Sequence, residues 1–222
     1  MSGVVEINEI RVDKPGNLIP TSSKISIKNP SPPYVSRGGL KLEAALDHFA
    51  LDVQGMVMMD VGASTGGFTD CLLQRGVIRV ISVDVGRGQL HWKLRQDPRV
   101  QILERTNIRN LKPEDLEGRI NGAVIDVSFI SLRLVVPPVA KILPNDAFIL
   151  ALIKPQFEVG KDQVGKGGVV RDPSLHQKVI HKLDAVFVDF GWIVMGHVAS
   201  PLPGPKGNRE FFVYLKRQIG NS

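Results

Sequence analysis

Apolar positions along the chain follow two regimes that meet near residue 34. Within residues 4–28, apolar and polar residues alternate through "VEINEIRV" and "KISIK" around the turn-forming stretch "DKPGN". A period of two belongs to strands with one wet face, so this part predicts a few short strands, closed by the proline-rich joint "NPSPP". Some thirty residues make a poor core alone, and the segment reads as a small module or a piece of one. From Arg37 the period becomes helical, and "GGLKLEAALDHFA" sets Leu42, Ala45, Leu46 and Phe49 on one stripe. Runs that are apolar at successive positions, "MVMMDVG", "RVISVDVG", "VQILE", "NGAVIDVS" and "DAFILALIKP", then alternate with the helical patterns "GGFTDCLLQRG", "GQLHWKLRQ" and "SLRLVVPPVAKIL". Strands apolar on both faces with helices between them predict an α/β fold with a mostly parallel sheet, covered on each side. A long polar loop, "QFEVGKDQVGKGGVVRDP", a helix over about 173–190 and a closing hairpin of "GWIVMGHVAS" with "REFFVYLKR" complete the pattern. The expected organisation is a β-rich segment with its linker over 1–33 and an α/β domain over 34–222.

The predicted strands end on polar residues. Asp60 closes the first, and Gly62, Ala63, Ser64, Gly66, Gly67 and Phe68 follow before the next helix. Glycines let the backbone turn tightly and approach a ligand, but the spacing G-x-x-x-G-G is not that of a dinucleotide site, and it lacks the lysine of a phosphate loop. Asp84 ends the next strand, where a carboxylate can accept hydrogen bonds from two ribose hydroxyls. A nucleoside without phosphates fits this set, and S-adenosylmethionine is the common one; the glycine spacing disfavours a nicotinamide dehydrogenase. Asn107, in "RTNIR", is placed either to meet the adenine or to cap its loop. In an open parallel sheet ligands sit beyond the carboxyl ends of the strands, and Gly62, Asp84, Asp126 and Lys154 all fall at such ends.

The acceptor atom follows from what this edge carries and lacks. Enzymes that methylate exocyclic amines often carry two prolines after the fourth strand, where this chain reads "IDVSFIS". The single cysteine, Cys71, lies in the helix after the glycine bend and reads as a small core residue. Asp126 with Lys154 suits a hydroxyl, a poor nucleophile until its proton is taken or its oxygen made more anionic. A structural salt bridge is the competing reading of that pair. His48, His91, His176, His181 and His197 show no ligand spacing, and no metal is expected.

Charge and composition narrow the partners. With 28 basic against 22 acidic residues the formal net charge is +6, which favours a polyanion. Arg37, Lys161, Lys166, Arg171, Lys206 and Arg209 lie in predicted loops and would meet RNA through its phosphates. One cysteine excludes an internal disulfide, and the sequence opens without a basic-then-apolar leader, so the expected compartment is the cytoplasm. The apolar run "AFILALI" is far shorter than the roughly 20 residues a spanning helix needs, and no stable membrane insertion is expected.

The stretches "YVSRGGLKLEAAL", "DVGASTGGFTDCLLQRG", "VDVGRGQLHWKLRQDPRV", "DVSFISL", "LIKPQFE", "VGKGGVVRD" and "SPLPGPKGNREF" together resemble the TlyA family, within the wider FtsJ-like group. Members carry both a hemolysin name and a ribosomal RNA 2′-O-methyltransferase name. The resemblance runs from Tyr34 to about Leu215. It implies a Rossmann-like, S-adenosylmethionine-dependent methyltransferase with a seven-stranded sheet, the last strand antiparallel. By motif, its Lys-Asp-Lys-Glu tetrad falls on Lys41, Asp126, Lys154 and Glu210, with Lys154 activating the ribose hydroxyl for in-line displacement. Asp60, the glycine bend, Asp84, Asn107 and Asp126 are expected around the cofactor, with Phe68 either packing on it or anchoring its helix in the core, and the resemblance implies ribosomal RNA or a ribosomal subunit as the partner. Residues 4–28 resemble only the closing strands of the ribosomal-protein-like RNA-binding module that precedes the catalytic domain in this family. The rival functions are a membrane-lytic protein and an RNA-binding protein that keeps the fold without catalysis.

Overall fold

The computed structural model describes residues 5–8, 10–11, 18–27 and 32–217. The expected turn at 13–17, residues 29–31 of the proline-rich joint and the Lys161 side chain lie outside the described residues. The chain divides into two compact units, Met1–Pro33 and Tyr34–Ser222. In the first, β1 (Val5–Ile7) pairs antiparallel with both β2 (Ile10–Arg11) and β3 (Ile25–Ile27).

The second unit opens with α1 (Gly38–His48) and continues through β4 (Val57–Val61), α2 (Gly67–Gln74), β5 (Arg79–Val83), α3 (Trp92–Arg95), β6 (Val100–Leu103) and β7 (Gly122–Ile125). It ends with α4 (Val136–Ile142), β8 (Phe148–Ile153), α5 (Pro173–Asp189), β9 (Trp192–Ala199) and β10 (Phe211–Arg217). The strands form one sheet in the order β6-β5-β4-β7-β8-β10-β9. The pairs from β6 through to β8 are parallel, and β10 runs antiparallel to both its neighbours. This is the Rossmann-like sheet that the resemblance implies, with its last strand antiparallel. The strand order reverses direction between β4 and β7, the position at which open α/β sheets form a crevice.

Both faces of the central strands are dry, which is why those strands read as unbroken apolar runs. Met58 and Leu150 face the layer of α1 and α2, whereas Met59, Val61 and Ile149 face that of α4 and α5. Cys71 lies in the first layer, and burial pushes its thiol up to about 12. The helix boundaries follow local chemistry. Asp172 caps α5 by accepting the Ser174 N–H at 2.8 Å, Pro173 takes the first helical position, and Gly191 follows the end with φ +78°. The pattern "GQLHWKLRQ" yields only the four residues of α3, because Asp97 precedes Pro98 and such a residue is pushed out of the helical region. Among the described residues no helix is long and apolar enough to cross a membrane.

Candidate active site

Strand register brings the polar strand ends to one level. Val61 pairs with Val83 on one side and Ile125 on the other, so Gly62, Asp84 and Asp126 emerge side by side. Ile125 pairs with Ala151, which carries Lys154 farther out, and antiparallel β10 sets Phe211 against Ile153, so that Glu210 arrives beside Lys154. Gly62 has φ +88°, and a Cβ there would strike the carbonyl oxygen of Asp126. Only glycine lets the bend after β4 lie this close to the end of β7.

Two cavities meet at this edge and share Gly62, Ser64, Asp126 and Ser128. The larger, about 480 Å³, is walled by Asp84, Asn107 and Gln89 together with the apolar Val85, Ile108 and Phe129. The smaller, about 290 Å³, holds Lys41, Asp126, Lys154 and Glu210 with Phe68, Ala63 and the turn at Gly204. An elongated molecule with an apolar ring at one end and charged groups at the other would span the pair.

Four of the five ionisable residues of the smaller cavity form two ion pairs, and Arg37 is the fifth. Lys41 Nζ donates to Glu210 Oε2 at 2.6 Å, between side chains 11% and 0% exposed. Lys154 Nζ lies 2.5 Å from Asp126 Oδ1, off the line of a hydrogen bond, and its hydrogen bond goes to Ser128 Oγ at 3.0 Å. The two cations and two anions of these pairs balance formally, and Arg37 leaves the cavity wall one positive charge in excess. Buried ion pairs add little stability over well-packed apolar residues, because desolvation offsets their attraction. Their concentration at a cavity wall therefore points to chemistry. The other oxygen of Glu210 accepts no hydrogen bond among the described residues and lies against Gly204, where a Cβ would overlap it.

Asp84 is held from the protein side. Its two oxygens accept the N–H groups of Ser64 at 2.8 Å and Gly86 at 2.7 Å, which leaves further lone pairs toward the larger cavity. Asn107 stands on the wall of that cavity, and its Oδ1 accepts the Arg109 N–H at 3.1 Å, which caps its loop. Phe68 is 3% exposed and stacks on Phe212 at 6.0 Å while its edge reaches the smaller cavity.

Two expected cofactor residues stand elsewhere. Asp60 lines neither cavity; it is fully buried behind the glycine bend and accepts from Thr69 Oγ1 at 2.6 Å. Residues i and i+2 of a strand share a face, and Asp60 shares that of Met58, toward α2. Gly66 caps α2 with φ +95° and packs against Leu90 and Leu94. Conversely, the sequence reading did not single out Ser128, Gln89, Gly204 or Ser36, which line the cavities. Ser128 lies two residues past Asp126, within the stretch "DVSFISL".

Among the described residues no group of three His, Cys, Asp or Glu side chains is arranged to hold a metal ion. The cofactor expected from the glycine bend fits the wall chemistry: acceptors at Asp84, apolar surface at Ile108 and Phe129, and a backbone approach that a Cβ at position 62 would close.

The described geometry agrees with what the chain resembles. A protein named 16S/23S rRNA (cytidine-2′-O)-methyltransferase TlyA, from Mycobacterium tuberculosis, is 47% identical over 218 residues, covering 98% of this chain and 81% of that one. Hemolysin A of Brachyspira hyodysenteriae is 38% identical over 216 residues, covering 97% and 90%. A solved structure from Streptococcus thermophilus that carries a hemolysin name superposes with a TM-score of 0.85 at 49% identity, covering 99% and 80%. The model of the FtsJ-like methyltransferases matches residues 34–217, the whole seven-stranded sheet with Lys41, Asp126, Lys154 and Glu210, and the chain belongs to that family.

Proposed function

We propose that the protein transfers a methyl group from S-adenosylmethionine to a ribose 2′-hydroxyl of ribosomal RNA. The observation that carries this reading is the cluster of Lys41, Asp126, Lys154 and Glu210 on a cavity that opens into a nucleoside-sized one. When bound, the cofactor supplies an electrophilic methyl carbon on a sulfonium. Asp84 and Asn107 would hold its nucleoside end, and Gly62, Ala63 and Ser64 its amino-acid end.

The chain's own residues have three tasks. Lys154 meets the proton and developing charge of the reacting hydroxyl, an effect of preorganised charge that is strongest in a water-poor cavity. Asp126 and Ser128 hold the Lys154 ammonium in place, so that orientation precedes reaction. Lys41, fixed by Glu210 through one donor, keeps other N–H groups for the RNA. Exposed Arg37, Lys166, Arg171, Lys206 and Arg209 would neutralise phosphates around the opening. The strands within residues 1–33 would belong to a ribosomal-protein-like RNA-binding module. Acting on ribosomal RNA or a subunit, the protein would work in the cytoplasm.

The test is labelled methyl transfer to ribosomal RNA and subunits from cells that lack the modification, with the product mapped. Lys154→Ala is expected to lower the single-turnover rate by about 10²–10⁴-fold and to leave cofactor affinity nearly unchanged. Equal incorporation by wild type and variant would exclude the assigned role.

A further inference from the structure

The segment from Gly165 to Arg171 is glycine-rich and largely exposed, and its ladder contact is an isolated bridge between Gly165 and Val169. Such a chain loses much conformational freedom when fixed. It is nonetheless held by buried side chains from two other elements. The Val170 N–H donates to Asn208 Oδ1 at 3.0 Å, Asn208 Nδ2 donates to the Gly168 carbonyl at 2.9 Å, and the Val170 carbonyl meets His176 Nε2 of α5 at 2.9 Å. Asn208 and His176 are each 3% exposed. Only one orientation of the Asn208 amide satisfies both of its contacts to the loop.

Asn208 also belongs to the turn before β10. Its main-chain carbonyl accepts the Gly204 N–H at 2.8 Å, and Gly204 abuts the Glu210 carboxylate. One side-chain amide thus joins the glycine loop to the turn at the end of the catalytic cavity. Residues 165–171 and 203–209 contain four cations, Lys166, Arg171, Lys206 and Arg209, and no acidic residue. All four are exposed, none is ion-paired among the described residues, and Lys206 Nζ lies beside Gly168 of the other loop. Like charges repel, so two such loops would separate unless fastened, and a surface of this kind attracts a polyanion.

We propose that Asn208 is a positioning residue that makes the two loops one rigid surface for successive phosphates of an RNA strand, at the Glu210 end of the cleft. The proposal rests on the RNA reading above and adds the part of the protein that grips the strand.

Methyl transfer and binding would be measured with deproteinised ribosomal RNA lacking the modification, over a range of salt. Asn208→Ala is expected to raise the KM for RNA about tenfold, to leave kcat within about twofold and cofactor affinity unchanged, and to make the salt slope shallower by about one. Lys166→Ala weakens binding in the wild type and adds little in the Asn208→Ala background, because the loop is already loose. Asn208→Asp, which keeps the volume and the acceptor for the Val170 N–H but removes the donor to Gly168, serves if the alanine variant does not fold, with the same shifts expected. A wild-type KM and salt slope in the folded variant, or strict additivity with Lys166→Ala, overturns the assignment while the RNA reading stands. Wild-type protein that shows no salt-dependent RNA binding overturns both.

Discussion

Asp60 has no exposed surface, and its carboxyl pKa is pushed up to about 7, first by burial and then by the charges of Asp126 and Asp84; the hydrogen bond from Thr69 opposes the shift. In the unfolded chain the same group titrates near 3.9. The folded pKa is the higher one, so this carboxyl's contribution to stability is fully present below about pH 3.9 and is lost as pH rises through about 7. Asp60→Asn keeps an acceptor for Thr69 and removes the charge. Melting curves should show wild type losing stability relative to Asp60→Asn between about pH 4 and 7. Parallel melting temperatures across that range would contradict the buried-carboxyl account.

Among elements, the decisive contact joins the loops that leave β7 and β8. Both oxygens of Glu158 are engaged, one by Ser131 Oγ at 2.6 Å and one by the Leu132 N–H at 2.8 Å, and burial raises its pKa in spite of these bonds. On the same two segments Phe129 and Phe157 pack with ring centroids 5.0 Å apart, and Asp126 meets Lys154. The ion pair therefore stands on loops that are clamped to each other. Glu158→Ala leaves two donors short of an acceptor, a loss of about 1–3 kcal/mol, and is expected to lower kcat about tenfold with little change in cofactor affinity. Glu158→Gln, able to accept from Leu132 and donate to Ser131, should retain most of the activity. A kcat unchanged in Glu158→Ala, with only the melting temperature reduced, would separate this clamp from the chemistry.

For the whole molecule the relevant quantity is the charge excess of +6, much of it displayed on loops at the carboxyl edge of the sheet. About four phosphate contacts would make RNA affinity fall roughly 50- to 150-fold between 50 and 200 mM salt, and titrations at several salt concentrations read this directly. A flat response would remove the electrostatic part of the RNA reading. The sheet supplies a rigid base for these loops, because its two dry faces bury β4, β7 and β8 almost completely.

Amino-acid order alone determined the parallel sheet, its closing hairpin and the edge on which ligands gather. Apolar periodicity reports burial locally, and in a doubly covered parallel sheet every strand then ends on the same side. The same local reading placed Gly62, Asp84, Asp126 and Lys154 at that edge, whereas Lys41 and Glu210 were reached through family motifs. Tertiary structure decided who meets whom: Lys41 finds Glu210 across 169 positions, Asp60 turns away beneath α2, and Asn208 fastens a loop that no periodicity describes. Side-chain direction and long-range pairing depend on which faces pack together, and that information exists only once the sheet and its helices have closed.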